Sequence, residues 1–265
     1  MAERAAIVTG ASSGIGLAIA RMLGEEGFGV TMASRRAEKL DGAVAELAGE
    51  GFDVHGLAAN VADEAEIQKV TAAHRDRYGR LDVLVNNAGV GVGATLGEIE
   101  TKRLDMQLDI NLRSIILFYR ECLPMLQAAG AEHHNALVVN TSSIAGKHGE
   151  AWLSVYAAAK HGVVGLMRSL ANELAPHNIR VNCVHPTNVD TPMIHNDVVS
   201  SAFRPDLGRP PTRAEFAEAA QRMNLLGVPW VDAVDVANAA LFLASDEARY
   251  ITAVTLPVDA GATQR

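Results

Sequence analysis

Apolar residues along this chain fall into two alternating kinds of run. Short runs occupy 5–9, 29–33, 53–58, 81–85, 136–141, 179–184 and 254–258. Their brevity and near-continuous apolar content predict strands buried on both faces. Longer stretches lie between them, at 14–26, 36–50, 64–78, 101–128, 153–175 and 232–245, with the character of helices. In 101–128 an apolar stripe runs through Leu104, Leu108, Leu112, Ile115 and Phe118, which reads as core or subunit interface. Strict alternation of strand and helix predicts an α/β fold: a doubly wound, seven-stranded parallel sheet with helices on both faces. One stretch breaks the rhythm. Residues 187–230 carry Pro192, Pro205, Pro210, Pro211 and Pro229 and follow the sixth strand. Long connections on the carboxyl side of such a sheet are where lids and binding loops occur.

Bulk properties narrow the picture. With 265 residues, no internal repeat and no linker-like tract, 1–265 reads as one domain with a substrate lid at about 187–230. A net charge of −8 without a basic cluster argues against nucleic acid. No apolar run reaches the ~20 residues of a membrane span, and the first strand starts too near Met1 to leave room for a signal peptide. Cys122 and Cys183 stand far apart in apolar surroundings, as buried thiols of a cytoplasmic protein would. No metal pattern is visible, and His133-His134 reads as an exposed helix-to-strand connection.

The chemistry gathers at three places. First, Thr9-Gly10-Ala11-Ser12-Ser13-Gly14-Ile15-Gly16 joins the first strand to the first helix. Gly10 allows a tight turn, Gly14 a close backbone approach to a pyrophosphate, and Gly16 close packing of helix on sheet. Second, the second strand ends in Ser34-Arg35-Arg36. A carboxylate there would bind the ribose 2′-hydroxyl of NAD, whereas serine and arginine suit the 2′-phosphate, so NADP is favoured over NAD. Arg36 also fits the solvated start of the next helix. Third, Tyr156 and Lys160 stand four apart in an Ala-rich helix, which puts them on one face. An ammonium beside the phenol is expected to lower its pKa and make it an acid or base near neutral pH. Ser143, thirteen residues before Tyr156, could hold a substrate oxygen, with Ser142 as its neighbouring alternative.

Taken together, Thr9 to Gly16, Asn86-Asn87-Ala88-Gly89, Asn111, Ser143 and Tyr156-x-x-x-Lys160 resemble the short-chain dehydrogenase/reductase family over essentially the whole chain. The resemblance implies a single-domain Rossmann fold and hydride transfer between a nicotinamide cofactor and a secondary alcohol or ketone. It implies Tyr156 as general acid/base, Ser143 as the hydrogen-bond donor to the reacting oxygen, Lys160 as modulator of the phenol and ligand of the nicotinamide ribose, and Asn111 as anchor of a proton-relay water. It further implies that Ser12, Ser13, Ile15, Asn60, Val61, Asn87, Ala88, Gly89, Pro186, Val189 and Thr191 border the cofactor, and that the protein is a homotetramer pairing helices 101–128 and 153–175.

The last third is similar to the carveol-dehydrogenase-like, mycofactocin-associated subgroup, through Met193-Ile194-His195-Asn196, Phe203-Arg204-Pro205-Asp206-Leu207, Val228-Pro229-Trp230-Val231 and Ala244 to Tyr250. That subgroup implies an apolar, cyclic or terpenoid-like alcohol or ketone and tightly held NAD. Three positions depart from pattern: Ser34-Arg35 replaces an acidic residue and an insertion, Asn60 replaces an aspartate, and Pro186-Thr187 replaces Pro-Gly. The substrate character carries over; the cofactor behaviour does not. Trp152 and Met193, with Leu153, Phe203 and Trp230, could wall an apolar substrate pocket or pack the 187–230 stretch onto the core. His148 reads as a surface-loop residue near the cleft, and His185 as a hydrogen-bonded structural one. Two other functions compete: a 3-oxoacyl-(acyl-carrier) reductase, with Arg113 and Arg168 as docking charges, and a non-catalytic cofactor-sensing protein.

Overall fold

A computed structural model of the chain describes residues 3–133 and 135–265; His134 lies outside them. Seven strands form one parallel sheet: β1 (Arg4–Thr9), β2 (Phe28–Ser34), β3 (Val54–Ala58), β4 (Val83–Asn86), β5 (Ala136–Thr141), β6 (Ile179–Pro186) and β7 (Thr255–Val258). Their order is β3-β2-β1-β4-β5-β6-β7. The chain therefore reverses its direction of winding between β1 and β4, where doubly wound sheets open a crevice at their carboxyl ends.

Two layers of helix cover the sheet. One face carries α1 (Gly14–Glu25), α2 (Ala37–Gly49) and α9 (Ala233–Ala244). Its core joins Ile19 and Leu23 to Val8, Val30, Val85 and Val139, with Val236 and Leu243. The other face carries α3 (Glu64–Tyr78), α4 (Thr101–Leu108), α5 (Ser114–His133) and α6 (Ser154–Leu174). There Ile67, Phe118, Leu126, Val163 and Met167 pack on Ile7, Leu84, Val138 and Val181. Alternate residues of each central strand thus feed opposite cores, which is why those strands read as continuous apolar runs. Local signals set several ends. Asp63 caps α3 by accepting from the Ala65 N–H at 2.9 Å, and Gly79 ends it at φ +70°.

All seven expected strands form, to within a few residues. Two expectations about helices are corrected. The stretch 101–128 is not one helix: a π-turn over Asp109–Arg113 divides it into α4 and α5, and α5 continues to His133. The apolar stripe is compatible with an unbroken helix, and the turn is set instead by a tertiary contact of Asn111, described below. The 187–230 stretch is not merely loop. It contains α7 (Asp197–Phe203) and α8 (Arg213–Gln221), the latter opened by a Thr212/Glu215 capping box. A small core of Ile194, Phe216 and Ala220, joined by Phe203 and Trp230, holds them together. A bridge from Val189 to Val231 closes the stretch at its base.

His74, fully buried on α3, ties two layers. Its Nε2 lies 2.9 Å from the Arg80 carbonyl, which can only accept, so Nε2 carries the proton and Nδ1 accepts from the Thr31 hydroxyl at 2.8 Å. Burial pulls this imidazole down to about 4. A histidine held neutral in the fold contributes stability that is complete above its unfolded pKa of ~6.5 and fades as pH falls toward the folded value. The stability advantage of wild type over His74→Gln in urea melts is expected to shrink between pH 6.5 and about 4. A constant difference across that interval would contradict this assignment.

Candidate active site

The carboxyl ends of β1 and β4 are stapled together by Thr9. Its Oγ1 accepts the backbone N–H groups of Asn87 and Ala88, each at 2.9 Å, while the Asn87 amide donates to the Thr9 carbonyl at 3.0 Å. Thr141, at the end of β5, donates to Asn87 Oδ1 at 3.2 Å. Three strand ends are thereby held in one row.

Over this row lies the glycine-rich turn. Gly10 and Gly14 take φ of +68° and +55°, values that side chains disfavour. A Cβ on Gly16 would lie 2.4 Å from the Gly10 carbonyl, so only glycine lets α1 begin this close to the strand. Ser13 stands extended immediately before α1 without a side-chain cap, which leaves the helix's first N–H groups for an anion. Ile15, in the first turn of α1, is half-buried against the core on that side of the sheet. A Cβ on Gly14 would lie 2.9 Å from Thr191 Cγ2, so the segment after β6 closes over the turn. Val189, buried at the base of that segment, and Pro186, buried at the end of β6, form its floor.

At the end of β2, Ser34 Oγ is 2.8 Å from Ser12 Oγ, and Arg35 is exposed beyond it. Asn60 spends its side-chain oxygen on the Ala62 N–H at 3.2 Å, and its own N–H donates to Glu66. Val61 is buried in the core, so it can offer a ligand only its backbone.

On the other side of the row stand the expected reacting groups. Lys160 is 3% exposed, and its Nζ donates to the Thr141 carbonyl at 2.8 Å. The same Nζ is 5.6 Å from the centre of the Tyr156 ring. Gly89 faces both Lys160 Nζ and Asn111 Oδ1. Asn111, buried in the π-turn, uses its whole amide on Val90: Nδ2 donates to the carbonyl at 2.8 Å and Oδ1 accepts the N–H at 2.9 Å. Such turns often mark functional positions in helices.

Ser142 and Ser143 separate clearly. Ser142 is buried and donates to the Lys160 carbonyl at 3.1 Å. Ser143 is half-buried, its Oγ accepts from the Ala145 N–H at 3.2 Å, and its hydroxyl faces the Tyr156 phenol.

The expected lowering of the tyrosine pKa is corrected. Burial pushes the Tyr156 phenol above its ordinary value, Ser143 pulls it down in part, and Glu150 pushes it up again. The ammonium does not reverse this, because it is hydrogen-bonded to Thr141 and not to the phenol. Burial likewise brings Lys160 down to about 8.

Trp152 and Met193 are exposed side chains, 57% and 54% accessible. Trp152 holds φ of +66°, unusual for a bulky residue, with its carbonyl accepting from the Ala94 N–H at 2.8 Å. Phe203 and Trp230, by contrast, pack the small core of the 187–230 stretch. His148 is 4.0 Å from Glu150.

The chain matches the family model described as short chain dehydrogenase over residues 4–200. It belongs to the short-chain dehydrogenases. The enzyme is 42% identical to (−)-trans-carveol dehydrogenase of Rhodococcus erythropolis, over 97% of this chain and 96% of that one. A crystal structure of carveol dehydrogenase from Mycobacterium avium in complex with NAD superposes with a TM-score of 0.94 at 37% identity, covering 100% of this chain and 99% of that one. An actinorhodin polyketide ketoreductase variant with NADPH superposes with a TM-score of 0.89 at 34% identity, over 100% of both chains. The dehydrogenase is thus an NAD(P)-dependent oxidoreductase of the alcohol dehydrogenase/ketoreductase type.

Sequence reasoning missed one constellation in this dehydrogenase. Asp190, between Val189 and Thr191, is held by Arg213 from α8 at 2.7 Å and by His195 Nε2 at 2.6 Å. Arg213 also lies over the Trp230 ring at 4.8 Å, and His195 meets that ring edge-on at 4.9 Å. Burial pushes the Asp190 carboxyl up, but the bonds from Arg213 and His195 outweigh it and hold it below its ordinary value. The clamp ties the second half of the 187–230 stretch to the segment that covers the glycine-rich turn. No spacing rule links positions 190, 195 and 213; the only hint was a lone acid in an otherwise neutral run.

Proposed function

We propose that this dehydrogenase interconverts an apolar, cyclic, terpenoid-like secondary alcohol and its ketone, with NADP preferred over NAD. The observation that carries the reading is the convergence of Ser143, Tyr156 and Lys160 on the row of strand ends that also holds the glycine-rich turn. The turn fits a dinucleotide: its glycines leave no Cβ in the way and α1 presents uncapped N–H groups. Gly10, Ser12, Ser13, Gly14, Ile15 and Gly16 would hold the pyrophosphate side. Asn60, the Val61 backbone, Asn87, Ala88 and Gly89 would border the adenosine and ribose. Pro186, Val189 and Thr191 would cover the nicotinamide.

When bound, the nicotinamide supplies or accepts the hydride. The protein's own groups manage the oxygen and its proton. Ser143 donates a hydrogen bond to the reacting oxygen. Tyr156, a neutral phenol whose hold on its proton burial strengthens, gives that proton to a ketone oxygen in reduction; in oxidation it is the deprotonated phenolate that takes the proton from the alcohol. Lys160, brought down to about 8, can hold or release a proton near neutral pH and so replenish the phenol. Asn111 fixes the π-turn beside them. Trp152 and Met193 offer apolar surface to the substrate, and 187–230 acts as the lid of the single 1–265 domain. The carveol dehydrogenase relatives support this substrate class. The acyl-carrier alternative draws little support from Arg113, which is engaged by Ala62 and Glu64.

We place the enzyme in the cytoplasm, consistent with two buried free cysteines; among the described residues no helix is long and apolar enough to cross a membrane. We also propose a homotetramer. The exposed apolar residues Val234, Phe242 and Tyr250, near the open edge of the sheet at β7, support burial between copies. Sedimentation giving a monomer at micromolar concentration would refute it.

Replacing Tyr156 by phenylalanine removes the proton-transferring group and leaves the fold and cofactor cradle in place. Turnover of carveol with either nucleotide is expected to fall by about 10²–10⁴-fold, with nucleotide affinity unchanged. Retention of more than about a tenth of the activity would remove Tyr156 from the chemistry. Arg35→Ala is expected to weaken NADP by about tenfold or more, the worth of a charged hydrogen bond, and to leave NAD within about twofold. Equal losses for both nucleotides would refute the phosphate assignment.

A further inference from the structure

His185 lies on β6 with its ring fully buried and takes no part in the chemistry above. Its Nδ1 is 2.7 Å from the carbonyl oxygen of Ser143. A carbonyl only accepts, so Nδ1 carries the proton and Nε2 is left with a lone pair. That Nε2 is buried with no partner among the described residues. Burial pulls the imidazole down to about 4, so it stays neutral and in one tautomer.

The ring occupies a particular gap. The β5–β6 ladder ends at Thr141 opposite Val184, followed by the Ser142 N–H donating to the Val184 carbonyl. Ser143 is the first residue beyond it. There the ring of His185, and not a backbone N–H of β6, donates to the Ser143 carbonyl. The other backbone bonds of Ser143 are local, its carbonyl also accepting from Gly146 N–H and its Oγ from Ala145 N–H, while its hydroxyl faces the Tyr156 phenol. A leucine or phenylalanine would fill the same space without burying an unsatisfied acceptor. The Nδ1–H is what an apolar residue could not provide.

We propose that His185 is a positioning residue for Ser143: its ring anchors the Ser143 carbonyl to β6 and thereby aims the hydroxyl at the reacting oxygen. This rests on the role of Ser143 given above. The residue acts through Ser143 and does not touch substrate.

A double-mutant cycle tests it, using carveol and NADP with active sites titrated by bound nucleotide. His185→Leu is expected to lower kcat about tenfold or more, as small misplacement of a reacting group does, with nucleotide affinity held within about twofold. In a Ser143→Ala background the same change is expected to cost less than about twofold, because there is no longer a hydroxyl to aim. Asparagine places its amide near the Nδ1 position and glutamine near Nε2. His185→Asn is therefore expected to retain most of kcat and His185→Gln to behave like leucine, a comparison that stands even if the leucine variant does not fold. Equal losses in both backgrounds, or equal losses for asparagine and glutamine, would overturn the proposal by making His185 merely structural. Ser143→Ala with unchanged kcat would instead overturn the reading of Ser143, and the proposal with it; that single variant tells the two failures apart.

Discussion

The site depends on one hydroxyl. Thr9 Oγ1 accepts two backbone N–H groups from the residues that follow β4, the first strand of the other half of the sheet. At that reversal the strand ends diverge, and the sheet's own ladder can no longer hold them in register. The threonine substitutes for the missing ladder, and the Asn87 amide returns a bond to the Thr9 carbonyl. Because the ends are held, Gly10 can turn back tightly and Gly16 can lie almost against its carbonyl. A glycine-rich turn on a slack crevice would not present a fixed row of N–H groups to a dinucleotide.

Burial governs the electrostatics more than pairing does. The lysine and tyrosine on one face of α6 suggest a phenol made acidic by a neighbouring cation. In the fold, desolvation raises the phenol and lowers the amine, and the ammonium's hydrogen bond goes to the Thr141 carbonyl. The two shifts move apart a pair whose ordinary values nearly coincide: the phenol holds its proton more tightly, and the amine, brought down to about 8, is the group that can give one up near neutral pH.

The 187–230 stretch is secured by two different physical devices. A backbone bridge and a small aromatic core give it shape, and the charged clamp of Asp190, His195 and Arg213 fastens it to the covering segment beside Thr191. Half-exposed ion pairs contribute little to global stability, so the clamp's worth lies in geometry: it couples α8 to the segment over the glycine-rich turn.

Much of this was legible in the chain. Strand periodicity, the glycine spacing and the Tyr156/Lys160 interval are local properties, and local patterns survive folding because sterics and helix geometry act over a few residues. The sequence by itself determined the seven strands, the α/β class and the turn before α1. The tertiary structure alone decided the π-turn at Asn111, which answers to Val90 twenty-one positions away, and the donor that His185 lends to Ser143, forty-two positions away. It also decided the Asp190 clamp and the direction of the Tyr156 shift. These depend on which groups the fold buries together and which of them are left to share a hydrogen bond, and no spacing along the chain encodes that.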